Sequence, residues 1–317
     1  MNILDMAFAS NDFKILQEEI KKDALSKSTL LLTKDSVFAQ QFAYALAISI
    51  LNNGQEEQNE NYFKVKALSH PDVKIYPQKD KLLVADSEDI VSECFVKPIF
   101  ADKKIFIINN IDNSMESAQN KLLKVLEEPP TNVYFILTAS NSNLVLPTIR
   151  SRCNKVELKK LSNQALNLAL QGYSEGKLIA SMCDGNIGRG IELAQKDARN
   201  IFEVALSVLV KMENSKNVLA FSKKLLSLKG DVETAFEMIG FMLEDILFIK
   251  AGRSDKVKFE QAKDQLEKIS SDYSVKAICE ISSLINKARK EISYNTNTTL
   301  VVENLLLGIL EVKYICR

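Results

Sequence analysis

Histidine is almost missing from this chain of 317 residues; His70 is the only one. That removes most hydrolase mechanisms, which need an imidazole beside a nucleophile, and most catalytic zinc sites. The five cysteines, at 94, 153, 183, 279 and 316, are odd in number, and none forms a C-x-x-C pair. They read as reduced thiols of a reducing compartment. There is no charge excess of either sign, with 41 basic and 41 acidic side chains. A protein dedicated to coating nucleic acid usually carries a strong basic surplus. No run approaches the roughly 18 apolar residues of a membrane span. The opening MNILDMAFAS lacks a basic run followed by an apolar core. The expectation is a soluble, cytoplasmic protein without membrane association. Proline is absent after Pro147, and Gly54 is the only glycine before Gly172.

The chain is 46% hydrophobic, enough for substantial cores, and its length suggests two or three domains. The N-terminal half alternates strands with helices. Ser28–Thr33, Val73–Tyr76 and Leu82–Ala85 read as strands. Lys104–Asn109 (KIFIIN) and Val133–Thr138 (VYFILT) read as buried strands of the parallel-sheet kind. Val37–Leu51 predicts an amphipathic helix and the polar Asn52–Asn61 a loop. Ser87 is placed to cap a helix running to about Val96. Between the two buried strands, Asn113 and Glu116 resemble a capping box. Met115, Ala118 or Gln119, Leu122 and Leu126 then share one helical face, and Pro129-Pro130 stops the helix. Strand, helix and strand of these lengths predict a right-handed βαβ unit in a doubly wound sheet. Strands give way to short helices near Leu161. The cluster Gly185-Asn186-Ile187-Gly188-Arg189-Gly190 is expected to open the next long helix. The proline-free remainder reads as all-helical.

An α/β domain of this order invites a phosphate-binding loop after its first strand. Such a loop needs glycines so that backbone N–H groups can wrap phosphates, then Lys and Ser/Thr. Here the turn is Thr33-Lys34-Asp35-Ser36-Val37, with no glycine. Lys34 and Ser36 are read as a polar strand-to-helix turn. P-loop ATPases also end a strand in carboxylates that hold Mg²⁺ and orient water. Here Ile105–Ile108 runs into Asn109-Asn110, and an amide is neither a general base nor a strong Mg²⁺ ligand.

Two segments carry a specific resemblance. Asn120-Lys121-Leu122-Leu123-Lys124-Val125-Leu126-Glu127-Glu128-Pro129-Pro130 resembles the N-x-L-L-K-x-L-E-E-P-P signature of bacterial clamp-loader subunits. Leu146-Pro147-Thr148-Ile149-Arg150-Ser151-Arg152-Cys153 resembles their L-P-T-I-x-S-R-C motif. The missing phosphate loop points, within this AAA+ family, to the delta-prime kind. Ser69-His70-Pro71-Asp72 is similar to that group's H-P-D segment and Gly185–Gly190 to its G-x-x-G-R segment. Asn295-Thr296-Asn297, Leu300, Glu303 and Leu305-Leu306-Leu307 are similar to its C-terminal pattern. A four-cysteine zinc cluster found in many members has no counterpart in Asn52–Asn61, so no metal and no other cofactor is carried over.

The resemblance implies three domains: an AAA+-like α/β domain with a degenerate P-loop over 1–160, a helical lid over 161–200 and a helical collar over 201–317. It implies a non-hydrolysing subunit of a DNA polymerase III clamp loader that assists ATP-dependent loading of a sliding clamp. The implied partners are the ATPase subunits and the clamp-opening subunit of a hetero-pentameric ring, with the sliding clamp and the primer–template DNA backbone as further contacts. The alternative is an ATP-binding motor subunit of the same family. Arg152 is implied as an arginine finger acting in trans on a neighbour's ATP, a role that suits a planar guanidinium, with Ser151 positioning the motif. Arg150 reads as a solvated charge, Arg189 as structural, His70 as a loop or cap residue, and Cys153 as a small buried hydrophobe. Glu127 and Glu128 are adjacent on a helix and point apart, which argues against a paired acid–base role. The stripe Leu300, Leu305, Leu306, Ile309 and Leu310 reads as core.

Overall fold

The computed structural model describes residues 2–55, 57–294 and 296–315. Asn295 of the C-terminal pattern and Cys316 lie outside the described residues. In chain order the elements are α1 Ile3–Ala9, α2 Asn11–Lys21, β1 Ser28–Leu32, α3 Ser36–Leu51, α4 Glu60–Lys66, β2 Val73–Tyr76, α5 Val84–Glu93, β3 Lys104–Ile108, α6 Glu116–Glu127, β4 Val133–Ala139, α7 Pro147–Arg152 and β5 Asn154–Glu157. Helices follow to the end: α8 Asn163–Ala169, α9 Gly176–Met182, α10 Ile187–Leu193, α11 Ala198–Lys211, α12 Ser215–Ser227, α13 Val232–Lys250, α14 Lys263–Ile269, α15 Val275–Ser293 and α16 Thr298–Ile315. The chain divides into two compact units. One is Met1–Gly172 with Cys183–Glu192, and the other is Tyr173–Met182 with Leu193–Arg317. The segment 161–200 contributes to both.

The first unit is built on a parallel sheet of order β2-β3-β4-β1-β5. Every residue of β3 and β4 is buried, as expected of strands covered by helices on both faces. Phe106 and Phe135, paired in register, stack with ring centroids 5.4 Å apart. The polar β5 forms one edge, where charged side chains discourage further pairing. On one face α5 and α6 pack together, with Ile90, Ala118, Leu122 and Leu126 in the core. On the other lies α3. It is buried on nearly every side, not amphipathic as its sequence was read. The reason is α1 and α2, absent from the sequence reading, which cover its outer face. Phe13 packs edge-on against Phe42 at 6.0 Å. Each such fully buried side chain contributes about 1.5–3 kcal/mol of apolar transfer.

Several local expectations are corrected. Leu82–Ala85 is not a strand, because Leu83 is already the N-cap of α5. Ser87 lies inside that helix, with its Oγ donating to the Leu83 carbonyl at 3.3 Å; Asp86 instead accepts the Leu83 N–H at 2.8 Å. Asn113 ends a short 3-10 turn, Ile111–Asn113, and α6 starts after Met115 without a side-chain cap. Met115 is exposed, while Gln119 joins the buried face. The glycine cluster opens a short helix, α10, and the long helices begin at α11. The loop after α3 ends at Asn59, which caps α4.

The H-P-D segment has a structural task. His70 is buried, and its Nδ1 accepts the Asp72 N–H at 3.1 Å while Nε2 faces Asn61 Oδ1 at 3.2 Å. Burial holds its pKa below the ordinary histidine value. The buried Asp72 carboxylate accepts three backbone N–H groups, from Ile99 at 2.6 Å, Phe100 at 2.7 Å and Ala101 at 2.8 Å. It thereby fixes the loop that leads into β3.

The second unit is all-helical. α13 packs against α11 and α15, and α16 against α12 and α15. Tyr273 is fully buried and donates to the Leu209 carbonyl at 3.0 Å. Asp245, also fully buried, accepts the N–H groups of Lys258 and Phe259 at 2.8 and 2.9 Å. In α16, Leu305, Leu306, Ile309 and Leu310 are core, but Leu300 is exposed. Among the described residues no helix is long and apolar enough to cross a membrane.

Asp72 provides a test of this fold. Burial pushes its pKa up, but the three N–H bonds outweigh burial and hold it below the ordinary value. The ionised form therefore stabilises the fold above the unfolded carboxylate pKa, and that contribution is lost as pH falls through the folded one. Asp72→Asn should cost about 2–3 kcal/mol at neutral pH, measured by urea denaturation. Its deficit relative to the parent should shrink below about pH 4.

Candidate functional site

The turn between β1 and α3 sits at the carboxyl edge of the sheet, beside β4 and β5. In parallel α/β sheets a helix N-terminus at this place offers backbone N–H groups to an anion. Here the chain supplies its own acceptor. Asp35 is the N-cap of α3 and is buried, with 5% of its surface exposed. Its Oδ1 accepts the Phe38 N–H at 3.0 Å. The same carboxyl group reaches α10, 152 positions along the chain, where Oδ2 accepts the Ile187 N–H at 2.5 Å and Oδ1 the Gly188 N–H at 3.3 Å. Asn186 Nδ2 adds a bond to the Lys34 carbonyl at 3.3 Å. The starts of two helices thus share one carboxyl group. Burial raises the Asp35 pKa, and the N–H groups of Phe38, Ile187, Gly188 and Val37 oppose the rise.

The glycine cluster makes this approach feasible. A Cβ on Gly188 would stand 2.9 Å from Val37 Cγ2 and 3.2 Å from Asp35 Oδ1, so a side chain here would force Val37 or the carboxyl group to shift. Gly185, at φ +85°, makes the preceding turn. Sequence reading singled out the cluster and the glycine-free turn separately, but did not join them. The available signal was an Asp one residue before a helix, an N-cap whose acceptor capacity exceeds what one helix start uses. A cavity of about 310 Å³ lies nearby, lined by Met6, Asp12, Phe38, Lys160, Leu161 and Ser162 among others.

At the end of β3, Asn109 donates its N–H to the Tyr76 carbonyl at 2.7 Å, and its Oδ1 is buried without a hydrogen bond. Asn110 adopts φ +50° and donates its N–H to Thr138 Oγ1 at 2.9 Å. Asp112 Oδ2 accepts from the backbone of Ser140 at 3.0 Å and Asn141 at 2.8 Å, closing the loop after β4.

Arg152 stands apart from the Asp35 turn in sequence, at the end of α7. Pro147 starts that helix and the fully buried Ile149 anchors it. Gln119 holds its entry. Its Nε2 donates to the Leu144 carbonyl at 3.1 Å, and its Oε1 accepts the Leu146 N–H at 2.9 Å. Sequence reading missed this role, although an amide on an otherwise apolar helix face was the visible sign. The Arg152 guanidinium grips Glu127 Oε2 through Nε at 2.9 Å and Nη2 at 2.7 Å, and Nη1 donates to the Thr148 carbonyl at 3.1 Å. Ser151 Oγ donates to that same Thr148 carbonyl at 3.0 Å. Arg150 is half-buried, not fully solvated, and its Nε is buried with no hydrogen bond. The Cys153 thiol is buried and its pKa is pushed up to about 12 by that burial, which leaves it unreactive.

A family model for the DNA polymerase III delta subunit matches residues 9–162, the segment that holds the sheet, the Asp35 turn and Arg152, and one for that subunit's C-terminal part matches 195–311. The chain belongs to the DNA polymerase III delta-prime family of clamp-loader subunits. It is 26% identical to DNA polymerase III subunit delta′ of Bacillus subtilis over 94% of this chain and 95% of that one. It is 25% identical to subunit tau of the same organism over 73% of this chain, but only 46% of that longer relative. A DNA polymerase III gamma-subunit-related protein of Thermotoga maritima superposes on 96% of this chain with a TM-score of 0.46 and 19% identity, covering all of that chain. Among the described residues of this family member, no group of three or more His, Cys, Asp and Glu side chains is placed to hold a metal ion.

Asp35 sets the stability of this turn. Asp35→Ala removes the cap of α3 and strands two N–H groups at α10, and should cost about 2–3 kcal/mol. Asp35→Asn should cost less. A raised folded pKa means that the parent loses stability as pH rises from the unfolded value through the folded one. The deficit of the Asn variant should therefore narrow over that rise, as read from urea midpoints at several pH values.

Proposed function

We propose that the chain is a non-hydrolysing delta-prime subunit, which helps ATP-driven clamp-loader subunits place a sliding clamp on primed DNA. The observation that carries this reading is the Asp35 carboxyl group, already bound to the N–H groups that open α3 and α10. A triphosphate bound there would meet a carboxyl group where it needs donors, and a turn without glycine. Asn109 and Asn110 supply amides where Mg²⁺ chemistry calls for carboxylates. The family membership supports assembly with other clamp-loader subunits. The finer parts of the reading are a hetero-pentameric ring, contacts with the clamp and the DNA backbone, and a cytoplasmic location. So is the division into an α/β domain to residue 160, a lid over 161–200 and a collar from 201.

In this reading Arg152 works on a neighbour, because its own chain holds no nucleotide for it. Ser151 holds the same turn of α7 through Thr148. The competing reading, an ATP-binding motor subunit, differs in one measurable respect. Titration calorimetry of the isolated chain with Mg-ATP should give only heats of dilution; a micromolar dissociation constant would favour the motor reading.

The arginine is tested in the reconstituted complex. An arginine finger contributes ~10³–10⁵ in rate at its own site, but only one of several sites would lose it. Arg152→Ala should therefore lower total clamp- and DNA-stimulated ATPase partially and clamp loading further, with assembly intact. Arg152→Lys should not restore either, since an ammonium lacks the planar fork. Parental hydrolysis and loading by both variants would remove Arg152 from the reaction.

A further inference from the structure

We infer that Glu127 is a positioning residue for Arg152, holding the guanidinium in a preformed, exchangeable grip until a neighbour's phosphate replaces the carboxylate. This rests on the reading of Arg152 as a group that acts in trans. Four observations carry it.

The first is where Glu127 sits. It is the last residue of α6, where the helix dipole disfavours a carboxylate. Nothing about α6 itself calls for an acid there. Arg152, by contrast, is the last residue of α7, where a cation is welcome. The pair therefore joins two helix ends, and the carboxylate draws its compensation from the arginine.

The second is the shape of the contact. Nε and Nη2 converge on one carboxylate oxygen, at 2.9 and 2.7 Å, while Nη1 is held by the Thr148 carbonyl at 3.1 Å. This is not the parallel two-oxygen fork that makes arginine–carboxylate pairs strong. It fixes the plane of the guanidinium and leaves the grip replaceable. A phosphate, which presents several oxygens, satisfies the same donors better.

The third is exposure. The side chain of Glu127 is 56% exposed and that of Arg152 29%. An ion pair this open to water is weak, so a competing anion can displace it. A buried pair would not yield.

The fourth is rigidity around the pair. Pro129 and Pro130 end α6 directly after Glu128 and fix Glu127 at its terminus. Gln119 ties α6 to the entry of α7 through Leu144 and Leu146. Carboxylate and guanidinium thus sit on two helices held in register by a buried amide. Glu128, the neighbouring acid, is the C-cap with non-helical backbone, and Arg152 makes no ion pair with it.

The experiment has two arms. In the first, phenylglyoxal modifies the isolated chain, and mass spectrometry follows the peptide that carries Arg152. Glu127→Gln, which keeps shape and loses charge, should react several-fold faster than the parent. Glu128→Gln should match the parent, and Glu127→Asp should fall between. Equal rates for the parent and Glu127→Gln overturn the proposal. In the second arm the same variants enter the reconstituted complex. Glu127→Gln should lower kcat for ATP with KM unchanged, Glu127→Asp should recover part of the loss, and Glu127→Gln should add nothing in an Arg152→Ala background. A further loss in that background means that Glu127 acts by another route, and the proposal fails. If Arg152→Ala leaves hydrolysis at the parental level, the trans-acting reading itself falls, while the labelling arm still reports whether Glu127 restrains Arg152.

Discussion

One carboxyl group joins the starts of two helices at the carboxyl edge of the sheet, a place where parallel α/β proteins commonly hold an anion. Asp35 caps α3 and, in the same geometry, receives the first N–H groups of α10 from a segment 152 positions away. Helix starts leave donors without intrahelical partners, and buried donors must be satisfied. In a nucleotide-binding protein a bound phosphate can do this, and the arrangement of the helices then depends on the ligand. Here the acceptor is part of the chain, so the two helix starts are joined without a ligand. Gly188 is the other half of the device, since a Cβ there would crowd Val37 and the Asp35 carboxyl group.

The same unit presents an arginine whose placement is over-determined. Ile149 anchors α7 in the core, Gln119 fixes its entry through two hydrogen bonds, and Glu127 and Thr148 share the guanidinium. The two features have a common character: each is a charged side chain held in place by hydrogen bonds with a neighbouring element, Asp35 by the start of α10 and Arg152 by the end of α6.

How much of this the sequence disclosed depended on the range of the interaction. β1, β3 and β4 were legible because doubly covered strands are uninterrupted apolar runs. The end of α6 was legible because Pro129 and Pro130 stop any helix. The helix starts were not. Ser87 and Asn113 are good caps by type, but Asp86 serves Leu83, and a short turn intervenes before α6. α3 read as amphipathic, but α1 and α2 pack on the face that would have been wet and leave most of the helix buried. β5 was missed, since an edge strand of Asn, Lys, Val and Glu carries little apolar signal. That the β1–α3 turn has no glycine was plain in the sequence. The Asp35–Ile187 bond was not, because it joins two segments that no local pattern connects. The Arg152 motif was recognisable, whereas its grip on Glu127 depends on how α6 and α7 pack.

The most direct test asks whether Asp35 truly occupies an anion's place. Thermal unfolding of Asp35→Ala, or of Asp35→Gly should the first fold poorly, is compared in sodium formate and sodium chloride at equal ionic strength. Formate supplies the missing carboxylate without the chain. The account predicts that formate restores part of the lost stability to the variant and leaves the parent unchanged relative to chloride. A variant that responds to formate no more than the parent does would contradict it.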